Sequence, residues 1–111
     1  MSRSVDQRIT DILRAIERCQ RYAKALDSSD IDLLEMAEDA IERNLQIIGE
    51  ATKHLPASIT ERHPEIGWPQ VRGFRNIVVH QYFGVDIDVI RDVIQNHLPA
   101  LTAALTEKYD G

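Results

Sequence analysis

Apolar residues recur at steps of three and four along most of this chain, the spacing that places them on one face of an α-helix. The first such stretch covers residues 4–26, where Ser4 is in position to cap the helix. The second covers residues 31–54, and it follows a polar break at residues 27–30 whose Asp30 or Ser29 can serve as a cap. The pattern therefore predicts that two long amphipathic helices open the chain.

The middle of the chain is more broken. Residues 55–67 contain two prolines and a glycine, and they predict a turn, a short helix near residues 57–62 and a second turn. A further helix is expected to start at Trp68-Pro69, since proline is tolerated in the first helical turn, and to end at Gly84.

Apolar periodicity resumes in the last part of the chain. Asp86 is in position to cap a final helix over residues 87–105, and Pro99 is expected to bend it. No stretch shows the strict alternation that predicts a β-strand. We therefore expect a single all-α domain over residues 1–111, an up-and-down bundle of four main helices plus one short helix.

Composition narrows the class of protein. Apolar residues make up 43% of the 111 residues and aromatic residues only 5%, so the core must be mostly aliphatic. The single Cys19 excludes an internal disulfide framework, and we interpret it as a small buried apolar residue. No apolar run has the length of a membrane span and no signal-peptide pattern is present, so we expect a cytoplasmic protein without membrane association.

The net charge of −5 argues against a general nucleic-acid binder held by a broad basic surface. Only residues 53–80 have a clear positive excess, with four Lys or Arg against two Asp or Glu. We interpret the basic residues of the first helix as a solvated face that nearby acids balance, with a binding stripe as the alternative. These residues are Arg8, Arg14, Arg18, Arg21 and Lys24.

Residues 72–83 combine several groups that can do chemistry. If this segment forms a helix, its arginine, asparagine and histidine side chains lie on one arc of the helix surface. The tyrosine lies within about 20° of Arg75 around the helix axis. Together such groups can bind a phosphate and move a proton. They belong to Arg72, Arg75, Asn76, His80 and Tyr82.

Small and amide residues near this face suggest close packing. Gly73 and Val79 lie on the polar arc, which would be unfavourable if that arc met only water, so a symmetry-related copy is the simplest partner. Gly49 is expected to allow another helix to approach, because glycine inside a helix is unfavourable by about 1 kcal/mol relative to alanine. Asn44 and Gln46 are placed to hydrogen-bond to a neighbouring helix or a second subunit.

The run Arg75-Asn76-Ile77-Val78-Val79-His80-Gln81-Tyr82 is similar to the Arg-x4-His-x-Tyr signature of HEPN-domain proteins, specifically the HepT-like toxins paired with a small nucleotidyltransferase antitoxin. Trp68, Gly73 and Asn76 stand at matching places around it. Residues 42–51 resemble the second helix of that family and residues 92–101 its last helix, so the likeness covers nearly the whole chain.

The resemblance implies a metal-independent endoribonuclease without a cofactor, acting on RNA as a homodimer with two motifs facing each other across a cleft. It also implies that this chain is the toxin of a toxin-antitoxin system. Its cognate minimal nucleotidyltransferase, the antitoxin, would silence it by attaching AMP to Tyr82. The alternative for Tyr82 is that it packs at the helix end with its hydroxyl hydrogen-bonded.

Chemical roles follow from residue type. His80 is the only motif residue that titrates near neutrality, so it is the candidate general base or acid. Arg75 can stabilise charge on the phosphate, Asn76 can orient the imidazole or bind the phosphate, and Arg72 is a candidate contact to the RNA backbone. One histidine supplies one proton-transfer group, and a dimer would supply the second.

Several points stay open. A non-catalytic dimeric adaptor, or a nucleotide-binding partner of a nucleotidyltransferase, is the alternative function. Glu42 and Arg43 form either an ion pair across the dimer or a solvated part of the helix. The remaining histidines lack metal-ligand spacing, so we interpret them as surface or packing residues. They are His54, His63 and His97.

Overall fold

The computed structural model describes residues 3–77 and 87–107, and this part of the chain contains helices and no strand. The all-α prediction is confirmed. The α-helices are α1 (Val5–Tyr22), α2 (Ile31–Lys53), α3 (Ala57–Thr60), α4 (Trp68–Arg72), α5 (Ile87–Asp92) and α6 (Leu98–Thr106). Two 3-10 segments at Ala23–Asp27 and Gly73–Asn76 and a π-helical turn at Val93–His97 extend or join them.

Helix α1 starts at the predicted cap. The Ser4 hydroxyl accepts a hydrogen bond from the amide of Gln7 at 3.1 Å, and the Ser4 amide donates to the Gln7 side chain at 2.8 Å. This reciprocal pair satisfies two backbone donors that the first helical turn leaves without partners. At its other end α1 stops at Tyr22, and a 3-10 segment covers the remaining predicted residues.

Helix α2 lies antiparallel to α1. Asp30 caps it as predicted, accepting from the amides of Asp32 and Leu33 at 3.0 and 3.4 Å. Cys19 near the end of α1 faces the carbonyl oxygen of Ile41, with its Sγ at 4.0 Å. The two helices bury an aliphatic seam, as the composition predicted. Its fully buried members include Ile12, Ile16, Ile41, Leu45 and Ile48.

The loop after α2 is fastened by the single tryptophan. The indole Nε1 of Trp68 donates to the carbonyl oxygens of Thr60 and His63 at 2.9 and 3.0 Å, while the ring is buried in the core. The short helix predicted near residues 57–62 is α3. Trp68 therefore fixes where α4 begins, as the sequence indicated, with Pro69 in the first turn.

One prediction about the motif segment is wrong. We expected one helix from Trp68-Pro69 to a stop at Gly84, but α4 ends at Arg72 and a 3-10 segment follows it. Ile77 then adopts an extended conformation, with φ −75° and ψ 123°. The arc of a continuous helix therefore does not apply to residues 72–77. The predicted stop at Gly84 and the predicted cap at Asp86 lie outside the described residues.

The last helical run matches the predicted helix in extent but not in regularity. Its π turn ends at His97, directly before α6, and Pro99 occupies the first turn of α6. A wider turn suits this position, because proline has no N–H to donate and its ring collides with the carbonyl four residues earlier. Arg91 ties α5 to the end of the first 3-10 segment, donating to the Leu26 carbonyl at 3.3 Å and the Asp27 carboxylate at 2.8 Å. None of the helices in the described ranges has the length and apolarity needed to cross a bilayer.

Candidate functional site

An open pocket of about 450 Å³ lies between α1, α2 and the 3-10 segment Gly73–Asn76. Four arginines and two carboxylates surround it, so its lining is cationic although the whole chain is acidic. We call it the arginine pocket. Its lining residues are Arg3, Arg8, Asp11, Arg43, Gln46, Ile47, Glu50, Ala51, Arg75 and Asn76.

Gly49 sets the position of Arg75. A Cβ added at Gly49 would lie 2.6 Å from the amide nitrogen of Arg75 and 2.9 Å from the carbonyl oxygen of Arg72. Both are backbone atoms, so the 3-10 segment rests directly on the surface of α2. The predicted close approach at Gly49 is confirmed, although a 3-10 segment makes it instead of an α-helix. Phe74, buried beside this contact, holds the segment in the core.

The guanidinium of Arg75 meets a carboxylate inside the pocket. Its Nη1 lies 3.7 Å from Oε2 of Glu50, and Oε1 of Glu50 lies 3.3 Å from Nε2 of His54. The hydrogen bond from His54 lowers the pKa of Glu50 below its usual value, and the positive charges of Lys53 and Arg75 lower it further. Glu50 is therefore ionised near neutral pH and orients Arg75, which remains about half exposed and free to meet an anion.

The α1 side of the pocket carries its own ion pair. Arg3 reaches the carboxylate of Asp11 with two nitrogens, at 2.7 and 2.9 Å, so the negative charge of Asp11 is already balanced. Arg8 and Arg43 line the same pocket and make no ion pair within the part of the chain that the structure describes. The pocket thus offers permanent positive charge to a phosphate.

The amino-acid sequence of the chain, which supplies the pocket, can be compared with those of known proteins. The profile of the family described as "Ribonuclease HepT-like" matches residues 12–107, which include most of the pocket and the whole motif. The chain belongs to this HepT-like family of HEPN proteins. No solved structure matches the chain significantly.

Three relatives show how far the HepT-like similarity extends. The "Probable ribonuclease HepT" of Thermococcus cleftensis is 34% identical over 91% of this chain and 92% of its own length. A "Gamma-glutamylcyclotransferase and putative RNase" of Methanocaldococcus jannaschii is 33% identical over 91% of this chain, which spans only 46% of that protein. A "Putative RNase" of the same organism is 29% identical over 89% of this chain and 91% of its own length.

The structure brings together only some of the predicted site residues of the HepT-like motif. Arg75 and Asn76 are exposed side by side in the arginine pocket. Arg72 does not line the pocket, and its carbonyl oxygen instead faces Gly49. His80 and Tyr82, like Val79, lie outside the described residues.

Other pocket residues were not singled out for this site. The sequence assigns Arg8 to a solvated face, and it places Glu50 in the stretch that resembles the second helix of the family. A signal did exist on α2, since Arg43, Ile47 and Glu50 recur at steps of three or four and share one helix face. What the sequence did not contain was the distance from that face to Arg75.

The predictions for two amide side chains of α2 and for the remaining histidines can be compared with their contacts. Asn44 is buried and donates to the Ala40 carbonyl of its own helix at 2.7 Å, while its Oδ1 has no hydrogen-bond partner among the described residues. Gln46 donates to Glu42 on the same helix at 3.4 Å. Among the histidines, His63 is buried, whereas two are exposed. These two are His54 and His97.

Two further findings concern space and metal ligands. Around Gly73 no described atom outside its immediate neighbours would lie within 4 Å of an added Cβ. The described ranges contain no group of three or more His, Cys, Asp or Glu side chains placed to hold a metal ion.

Proposed function

We propose that this chain is a metal-independent endoribonuclease that works as a homodimer and is the toxin of a HEPN/nucleotidyltransferase toxin-antitoxin system. The observation that carries the proposal is the placement of Arg75 and Asn76, two residues of the family motif, in a pocket lined by further arginines. The ribonuclease names of the relatives support the same activity.

The proposed chemistry is attack of a ribose 2′-hydroxyl on the neighbouring phosphorus. His80 takes the proton of that hydroxyl, the new P–O bond forms, and the bond to the 5′-oxygen breaks as a second acid protonates it. Arg75 stabilises the extra negative charge on the five-coordinate phosphate through its planar set of donors. Asn76 orients the imidazole or binds a phosphate oxygen, and Arg72 contacts the RNA backbone.

A homodimer supplies the second proton-transfer group. Each motif contains one histidine, whereas the reaction moves one proton away from the nucleophile and another to the leaving group. We therefore propose a composite site in which His80 of the partner subunit completes the pair. The HEPN resemblance, with two motifs across a cleft, supports this arrangement.

Cleavage by purified protein tests the proposal. Arg75→Ala and His80→Ala should each lower the rate on single-stranded RNA by at least about a hundredfold, because each removes charge stabilisation or proton transfer. His97→Ala, which removes an exposed histidine far along the sequence from the motif, is the matched control and should keep the rate. The reactions contain EDTA, since the proposed chemistry uses no metal ion.

The oligomeric state is measured on the same samples by analytical ultracentrifugation. Full activity from a variant that sediments as a monomer would contradict the composite site. RNA left intact by a clean wild-type dimer would contradict the nuclease and leave the non-catalytic adaptor as the function of the chain.

The proposed regulation acts at Tyr82. Attachment of AMP there adds a charged nucleotide next to the motif, where it would occupy the place of the substrate phosphate. We expect intact-mass spectrometry of the chain, co-expressed with a cognate nucleotidyltransferase, to show a gain of one or more AMP groups that Tyr82→Phe abolishes. An unmodified Tyr82 in an inactive co-expressed sample would contradict this mode of silencing.

A further inference from the structure

A second cavity continues the arginine pocket along α1. It measures about 350 Å³ and shares Arg3, Asp11 and Ile47 with the pocket. The residues that it adds are Arg14 and Arg18. The two cavities together form one open groove between α1 and α2, which we call the α1 groove.

The charge of the α1 groove is strongly positive. Its two cavities are lined by six arginines and only two carboxylates, Asp11 and Glu50. Both carboxylates already lie in ion pairs with groove arginines. The four other arginines make no ion pair in the described part of the chain, and they are Arg8, Arg14, Arg18 and Arg43.

This arrangement revises the interpretation of the basic residues of α1. The acids near them in sequence were expected to balance their charge on a solvated face. Instead Glu17 lies beside Arg21 at 3.6 Å, outside the groove, and Asp11 is held by Arg3. Arg8, Arg14, Arg18 and Arg43 therefore have no ion pair with a described residue, on a chain whose net charge is −5.

The dimensions of the groove suit a nucleic-acid strand. Arg8 and Arg18 are separated by ten residues of α1, which corresponds to about 15 Å along the helix axis. Arg14 lies between them, so the helix presents three fixed cations over this length. A row of fixed cations over such a length binds a polyanion without reading its sequence.

We propose that the α1 groove binds the backbone of single-stranded RNA, with the strand leaving the arginine pocket at Arg75 and passing over Arg8, Arg14 and Arg18. The proposal rests on the proposed ribonuclease function and assigns the residues that hold the substrate beside the cleaved bond. Continuity with the pocket that contains Arg75 favours RNA over an unrelated anion.

Salt dependence of RNA binding tests the groove. The probe is an oligoribonucleotide of about 12 nucleotides with 2′-O-methyl groups throughout, which lacks the attacking hydroxyl and matches a usual site size. The double variant Arg14→Gln/Arg18→Gln removes two charges of the groove. Each phosphate contact to a single strand contributes about −0.7 to the slope of log K against log salt concentration, so the slope should become less steep by about 1.4. Near 0.15 M salt, this change corresponds to about tenfold weaker binding.

The matched control is Arg21→Gln/Lys24→Gln. It removes the same charge from neighbouring, exposed positions that do not line the groove, so it should keep the wild-type slope. Equal slopes for the two double variants would overturn the groove as an RNA track and would leave an acidic protein segment as its occupant.

Cleavage assays separate this inference from the proposed function. A dinucleotide bound at Arg75 is too short to reach Arg14 and Arg18, so its cleavage should be the same in Arg14→Gln/Arg18→Gln as in the wild-type chain, while KM for long RNA rises and kcat stays the same. If the wild-type protein cleaves RNA and the groove variant shows no change in KM or in salt slope, the groove is wrong and the nuclease stands. If the salt slope changes but the wild-type protein cleaves nothing, the nuclease is wrong and the groove stands.

Discussion

At the scale of single residues, burial decides which reactive groups can act. Cys19 has no exposed surface, and its burial raises the pKa of the thiol to about 12. The thiolate is the reactive form, so the folded chain presents no nucleophile at this position. The interpretation of Cys19 as a buried apolar residue is confirmed. Arg75 shows the opposite case, because its exposed guanidinium keeps its charge available in the arginine pocket.

Labelling of Cys19 should therefore report unfolding. Native protein should react with a thiol reagent on the order of a thousandfold more slowly than protein in urea, since a stable domain is unfolded for less than about one part in a thousand. The control is Ser29→Cys, which places a second thiol on the exposed turn before α2 and should react at once in native protein. Immediate labelling of Cys19 in the native wild-type chain would contradict this burial.

The thiol of Cys19 also predicts how the stability of the folded chain changes with pH. An unfolded cysteine ionises near pH 8.5, whereas the folded thiol holds its proton until about pH 12. The stability that this neutral thiol contributes is thus full below about pH 8.5 and is lost as the pH rises toward the folded value. In urea titrations, Cys19→Ala should show a smaller loss of stability above this pH than the wild-type chain does.

At the scale of elements, the packing of one segment on α2 outweighs the helical periodicity of the motif. The sequence of residues 68–82 supports a continuous helix, yet α4 gives way to a 3-10 segment where its backbone meets Gly49. Propensity is a weak preference that tertiary contacts commonly override. A buried Phe74 and the absence of a side chain at Gly49 together favour the tighter turn, and this turn places Arg75 over the pocket.

Substitution of Gly49 should test this contact. Gly49→Ala adds a methyl group 2.6 Å from the amide nitrogen of Arg75, and such overpacking destabilises by about 1–3 kcal/mol. Part of this is offset by the better helix propensity of alanine, about 1 kcal/mol. We expect a net loss of unfolding free energy in urea titrations followed by circular dichroism, together with weaker RNA cleavage because Arg75 is displaced.

Gly73→Ala is the matched glycine control for stability. The backbone at Gly73 has a φ of −69°, which alanine adopts, and no described atom blocks the new methyl group. Its unfolding free energy should be unchanged or higher by up to about 1 kcal/mol, because alanine reduces the freedom of the unfolded chain. A Gly49→Ala variant as stable as Gly73→Ala would show that the contact at α2 is not tight.

At the scale of the whole molecule, the distribution of charge matters more than its sum. The chain has a net charge of −5, which by itself argues against a nucleic-acid binder held by a broad basic surface, yet six arginines converge on the groove between α1 and α2. One precedes the cap of α1, three lie along α1, one lies in the middle of α2 and one in the 3-10 segment Gly73–Asn76. Their convergence depends on the antiparallel packing of α1 on α2, which places distant parts of the sequence along one surface.

Much of the fold could be predicted because its signals are local. The helical periodicity, the caps at Ser4 and Asp30 and the start of α4 at Trp68 each depend on residues a few positions apart. The sequence also singled out Gly49 as a place of close approach, because a glycine inside a helix requires a structural reason. Membership of the HepT-like family was likewise contained in the order of residues at the motif.

Only the tertiary structure decided how these helices and segments pack against one another. It ended α4 at Arg72, placed Glu50 beside Arg75, and left Arg8, Arg14 and Arg18 of α1 without an ion pair to any described residue. Each result depends on a distance between residues far apart in sequence, and periodicity along one helix contains no such distance. The order of residues determined which helices form and which chemical groups are present, whereas their packing determined which of those groups face a common space.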